Sequence, residues 1–188
     1  FVQIDEFYPI DPDQGNSFYS YVKRFYIEGF GMNPNKALLM NYKEMGFPPN
    51  QDLGSVWPDG EVDLSLRYRT AATDREVDQQ KVLMRVDQWC QDYEQRIRAL
   101  GGIGFFLGGI GPDGHIAFNV RGSDHHSTTR LTAVNYETQA TAAGDLGGIE
   151  VSRKRLVITI GLGTITYNPD VCAIVIAAGE AKAQIIAD

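Results

Sequence analysis

A chain of 188 residues, 43% hydrophobic and 22% charged, carries enough apolar side chains for one folded domain with a sizeable core, which excludes a disordered segment. Its net charge of -7 and the lack of any Lys/Arg run exclude a nucleic-acid surface, although a few cations and backbone N–H groups placed locally can still hold an anionic metabolite. No stretch approaches the ~20 apolar residues of a membrane span, and there is no basic-then-apolar leader, so a cytoplasmic protein without a membrane partner is expected.

Phe1 to Ile4 alternates like a short strand, with Asp5 and Glu6 at its C-terminal end, where open α/β sheets bind ligands. Neighbours on an extended strand point to opposite faces, so at most one of the two carboxylates enters a pocket, and the residues alone do not say which. A turn-rich loop over 9–16 leads into a helix with Phe18, Val22, Phe25 and Tyr26 on one face, closed by Gly29 and Gly31. Residues 43–72 hold Pro48, Pro49, Gly54, Pro58 and Gly60 with weak periodicity and read as an insertion, a long surface excursion. Thr73-Asp74-Arg75-Glu76 is a capping-box pattern that opens a helix with Val82, Val86, Trp89, Tyr93 and Ile97 on its apolar face, ended by Gly101-Gly102.

Residues 104–110, 156–160 and 171–178 read as buried strands, and their alternation with helical patterns predicts an α/β domain over 1–188 with a mostly parallel sheet covered on both faces. Cys90 and Cys172, far apart and without CxxC spacing, read as buried free thiols. The start lacks an initiator Met and the last residues begin a helical pattern without a cap, so the chain is expected to be cut at both ends.

The run Gly109-Ile110-Gly111-Pro112-Asp113-Gly114 matches a dinucleotide fingerprint in form only, because Pro112 sits in the turn and no helix opens within the glycines. Asp113-Gly114-His115 is more informative. An Asp and a His flanking a flexible residue after a strand form either a proton donor with its orienting carboxylate or a turn Asp and a hydrogen-bonded His. His115, His125 and His126 with Asp113 fit no standard zinc spacing, so no metal is expected. Lys182, after Gly179-Glu180-Ala181 at the start of a helix, is either solvated or a phosphate anchor.

Together, Ile4-Asp5-Glu6-Phe7-Tyr8, Asn16-Ser17-Phe18-Tyr19-Ser20, the stretch from Leu107 to Asn119, Ser127-Thr128-Thr129-Arg130, Gly161-Leu162-Gly163-Thr164 and Gly179-Glu180-Ala181-Lys182 resemble the glucosamine-6-phosphate deaminase/isomerase family. The resemblance implies a modified doubly wound α/β fold and a cofactor-free conversion of glucosamine 6-phosphate to fructose 6-phosphate and ammonia. It further implies Asp5 as the base between C2 and C1, His115 oriented by Asp113 for ring opening, and Lys182 with Gly109, Gly111 and Gly114 on the substrate and its phosphate. A sugar phosphate as small-molecule partner and a homo-oligomer follow from the same likeness. Val120 stands where the family usually has a glutamate, Gly144 near a phosphate-binding arginine, and Thr132-Ala133 in place of a Lys-Thr pair beside Arg130. The departures motivate two rival readings, a non-catalytic sugar-phosphate sensor and an isomerase of another phosphosugar.

Overall fold

The computed structural model describes residues 1–45, 47 and 51–187. Among them, five short strands, β1 (Asp5–Tyr8), β2 (Phe105–Gly109), β3 (Arg130–Thr132), β4 (Leu156–Thr159) and β5 (Cys172–Ile176), alternate with helices α1 (Phe18–Val22), α2 (Leu53–Val56), α3 (Asp74–Ala99), α4 (Tyr136–Leu146), α5 (Ile149–Ser152), α6 (Leu162–Ile165) and α7 (Ala183–Ala187). The class is mixed α/β. The strands form two sheets: β1 and β3 flank β4, both antiparallel to it, while β2 and β5 make a separate parallel pair.

The expected single, mostly parallel sheet is therefore not what these residues form; parallel pairing is confined to β2 and β5. One helix between two strands returns the chain to run parallel. Between β3 and β4 the chain makes two helices instead, α4 and α5, broken apart by Gly147 and Gly148 at φ +89 and +118. β4 then runs antiparallel to β3. The first strand also starts later than the alternation suggests. Gln3 N–H donates to the Leu38 carbonyl at 2.9 Å, the ladder with β4 begins where Ile160 N–H donates to Ile4 at 2.9 Å, and Asp5 and Glu6 lie inside β1 rather than past its end.

The helix after the 9–16 loop is shorter than its sequence pattern and continues as a π-helical turn over Lys23–Glu28. A wider turn shifts the inward position by a residue. Val22 and Ile27 are buried, whereas Phe25, expected on the inner face, is exposed. In α3 the cap is as expected, with Thr73 Oγ1 accepting from Glu76 N–H at 3.2 Å, but the Glu76 carboxylate bonds Ala72 N–H and Arg69 rather than closing the box on Thr73. Cys90 takes the core position expected of Trp89, and its thiol is pushed up to about 12 by burial. Cys172 is exposed, as are Phe105, Leu107, Ile174 and Ile176, so the apolar runs of β2 and β5 report strand formation but not burial.

Segment 43–72 is a correction of another kind. Pro48 and Pro49 lie outside the described residues, but Val56, Trp57, Val62 and Leu66 are buried against Val82, Leu83 and Val86 of α3, so the segment is no surface excursion. It is also tied by polar contacts: Arg67 Nη2 to Asp87 at 2.5 Å, Gln79 to the Val56 carbonyl at 2.8 Å, Gln80 to the Leu66 carbonyl at 2.7 Å, and Trp57 Nε1 to Tyr8 OH at 3.2 Å. Its mixed polar sequence hid this because a short irregular segment needs few apolar anchors and shows no period. Further along the buried face of α3, the carboxylate of Glu94 accepts from Thr129 N–H, Thr129 Oγ1 and Thr164 Oγ1 at 3.2, 2.9 and 2.7 Å. It fixes the approach to β3 and the start of α6.

Leu66 is fully enclosed in this core. Leu66→Ala should lower unfolding free energy by about 2–5 kcal/mol, against under about 0.5 for the exposed Met84→Ala, read from urea denaturation midpoints. Equal small effects would return 43–72 to the surface.

Candidate active site

Alternation along β1 sends its two carboxylates to opposite sides, and the surroundings of each differ. Glu6 is buried and accepts from Phe7 N–H at 2.9 Å, Ser17 Oγ at 2.8 Å, Phe18 N–H at 3.1 Å and Tyr19 N–H at 2.7 Å. It caps the first turn of α1. Burial still raises its carboxyl above the ordinary glutamate range, while the four donors pull it down. Asp5 has no such neighbours: among the described residues its carboxyl accepts no hydrogen bond, and it borders a largely apolar cavity of about 890 Å3 together with Phe18, Tyr21, Phe106 and Leu107. Desolvation first, and then the negative charge of Glu6, push its pKa up to about 7.

The expected partner motif comes to the same end of the sheet. Asp5 stands opposite Thr159 in the β1–β4 register, and Thr159 Oγ1 accepts from Phe118 N–H at 3.0 Å. Asn119 Nδ2 donates to the Ile160 carbonyl at 2.9 Å. Between His115 and these anchors the chain turns at Ala117, φ 50, the one described non-glycine residue in the left-handed region, which costs on the order of 1 kcal/mol. The turn lays Phe118 against Phe7 at 5.5 Å between ring centres and stacks His115 on Phe118 at 5.5 Å. One aromatic ring thus separates the imidazole from β1.

His115 Nδ1 is hydrogen-bonded to Asp113 Oδ1, and Asp113 Oδ2 accepts from Asn135 Nδ2. Thr138 Oγ1 lies 3.4 Å from the same ring nitrogen. Burial pulls the Asp113 carboxyl up, but the bonds from His115 and Asn135 outweigh it and hold it below the usual aspartate range. An ionised Asp113 fixes the tautomer with hydrogen on Nδ1, which leaves Nε2 to act on a substrate. Asn135 and Thr138 escaped the sequence reading; the signal that would have found them is their cap spacing, since Asn135 Oδ1 also accepts from Thr138 N–H at 3.1 Å to start α4.

The glycines divide. A Cβ on Gly111 would fall 2.1–2.3 Å from the His115 ring, so this glycine makes room for the imidazole itself. Gly114 needs its φ of +87 and lies beside Ile185 of α7, while Gly109 is exposed at the end of β2 with open space above it. Lys182 ends a 3-10 turn, Glu180–Lys182, that runs directly into α7, so the packing of Ile185 on Gly114 brings the lysine's segment to the Asp113–His115 turn. His125 and His126 are exposed on a polar loop, and among the described residues no three His, Cys, Asp or Glu side chains cluster as metal ligands. Val120 sits in a turn, its carbonyl accepting from Ser123 N–H at 2.9 Å. No helix among the described residues is long and apolar enough to cross a membrane.

No family model matches the chain. Curated proteins do. It is 36% identical over 100 residues to the glucosamine-6-phosphate deaminase of Borreliella afzelii, 37% over 101 to that of Cronobacter sakazakii and 38% over 94 to that of Caenorhabditis elegans. These matches cover 53%, 54% and 50% of this chain and 37%, 37% and 35% of the relatives, so the chain aligns with little more than a third of their length. A solved structure of a monomeric glucosamine-6-phosphate deaminase, described as a missing link of the NagB superfamily, shares the fold with a TM-score of 0.67 at 23% identity, over 99% of this chain and 60% of that one.

The Asp5 geometry has a consequence for stability. Its folded pKa of about 7 lies above the 3.8 of an ordinary aspartate, so between these pH values the folded chain holds a proton that the unfolded chain has released, and stability falls as pH rises through that window. Asp5→Asn removes the titration. The variant should match the parent near pH 4 and become progressively more stable than it up to about pH 7, in urea denaturation across pH. A constant difference would mean that Asp5 is solvated.

Proposed function

We propose that the protein containing this chain, related over half of these residues to glucosamine-6-phosphate deaminases, is a glucosamine-6-phosphate deaminase/isomerase. The observation that carries the reading is a carboxyl on β1, pushed up to about 7 and accepting no hydrogen bond among the described residues, whose strand partner Thr159 also anchors, through Phe118 N–H, the chain that follows the Asp113–His115 turn. In this reading Nε2 of His115 takes the proton of the C1 hydroxyl and hands it to the ring oxygen as the bond between C1 and that oxygen breaks, and the open-chain sugar results. Asp5, as carboxylate, takes the C2 proton and returns it to C1, and addition of water to the resulting C2 imine releases ammonia and leaves fructose 6-phosphate. A pKa near 7 suits that exchange, because the group must both accept and give back a proton.

Lys182 and the backbone around Gly109 and Gly114 receive the phosphate; their support is the contact between α7 and Gly114. Asn135 and Thr138 act through Asp113 and the imidazole as positioning residues. With Val120 in place of a second carboxylate, Asp113 and Asn135 alone set the tautomer. The β2–β5 pair is the parallel part of a modified doubly wound sheet, and the protein is cytoplasmic.

The test is an assay of the full-length protein for ammonia and fructose 6-phosphate. The two should form in equal amounts from glucosamine 6-phosphate, with kcat/KM rising with pH through about 7 as Asp5 ionises, and Asp5→Asn should lower kcat by about 10²–10⁴-fold. Binding of the amino sugar without turnover would instead favour a sensor, and another ketose as product an isomerase of a different phosphosugar.

A further inference from the structure

A second cavity, of about 540 Å3, opens at the other end of the β1–β4 pair, where the register sets Tyr8 against Leu156 instead of Asp5 against Thr159. Its walls come from the loop after β1, from residues 53–60 and from the connection of α5 to β4. Three consecutive cations line it and are not equivalent. Arg153 is exposed and paired with Glu150 at 2.9 Å, and Lys154 Nζ donates to the Asp59 carbonyl at 3.3 Å. Arg155 is half-buried; its Nη1 reaches the Gly60 carbonyl at a long 3.4 Å, and among the described residues it meets no carboxylate and its buried Nε finds no acceptor.

A guanidinium brings five donors in a fixed fork that matches two oxygens of one anion, and removing it from water without such a partner is unfavourable. Desolvation accordingly pulls the basicity of Arg155 down. The backbone is shaped to admit this side chain: Gly60 has φ +64, and a Cβ there would come within 3.1 Å of Arg155 Nη1. The acidic residues Asp11, Asp59 and Glu150 also line the cavity, which disfavours a polyanion and suits a ligand with hydroxyl or ammonium donors beside a single anionic group. The volume is that of a small-molecule site.

We propose that this cavity binds a small metabolite through one phosphate or carboxylate held on the Arg155 fork, with its donor groups turned to Asp11 and Asp59. The site is separate from the Asp5 end of the sheet and does not depend on the catalytic reading.

Trp57 lines the cavity, so the part of the fluorescence change that is lost in a Trp57→Phe variant reports on this site. The full-length protein is titrated with inorganic phosphate, with acetate, and with chloride at matched ionic strength. Phosphate or acetate, but not chloride, should give a saturable change; phosphate alone identifies a phosphomonoester, acetate alone a carboxylate, and either supports the site. Arg155→Gln should weaken that binding at least about tenfold and Arg155→Lys, which keeps the charge and loses the fork, by an intermediate factor, while Asp5→Asn leaves it unchanged. Circular dichroism selects the variants that fold, and the lysine variant decides if the glutamine one does not. No saturable response to either anion up to about 50 mM, or unchanged binding in a folded Arg155 variant, would overturn the proposal.

Discussion

Four hydrogen bonds converging on the buried carboxylate of Glu6 set the orientation around which the site is arranged. A buried carboxylate is tolerable only when its oxygens are satisfied, and the first turn of α1 offers the free N–H groups that every helix start has to place. Glu6 therefore cannot rotate to the other face of β1 without stranding both itself and the helix start. Because side chains alternate along the strand, Asp5 is committed to the opposite side, where it shares a largely apolar cavity with Phe18 and Phe106 and finds no donor among the described residues. The same pair of adjacent residues thus yields one structural carboxylate and one of raised pKa.

A second constraint fixes what Asp5 can work with. Thr159 is the residue opposite Asp5, and its hydroxyl also holds the Phe118 amide, so the turn bearing His115 is anchored on the strand that carries Asp5 as partner. Asn119 adds a bond to the next residue, Ile160, and the strained Ala117 is the cost of bringing the chain around so tightly. The imidazole then lies on Gly111 because nothing larger fits beneath it. At the far end of the same strand pair, Arg155 is placed by the α5–β4 connection over Gly60, which separates the two polar sites by the length of β4.

Much of this was legible in the sequence. The strand positions at 104–110, 156–160 and 171–178, the cap at Thr73 and the Asp113-Gly114-His115 turn rest on local signals, namely alternation, capping and glycine, and these survive folding. Strand direction did not, because it is set by how the connections run in space, which local pattern does not carry, and α5 is too short to show a period. The buried anchors Trp57 and Leu66 sit in an irregular segment, and the π-helical turn at Lys23–Glu28 moves the buried face from Tyr26 to Ile27, which no fixed period anticipates. Asp5 could not be separated from Glu6 by sequence chemistry, since both are carboxylates; only the donors waiting at Ser17 to Tyr19 distinguish them.

The carboxyl of Asp5 can be followed directly by carbon-13 NMR across pH in the full-length protein, assigned by loss of its signal in Asp5→Asn. A midpoint near 7 is expected, with Asp113 remaining ionised to below the usual aspartate range in the same titration. An Asp5 midpoint close to 4 would contradict the account, because it would place that carboxyl in water or on a donor and leave β1 without a group suited to exchange a proton.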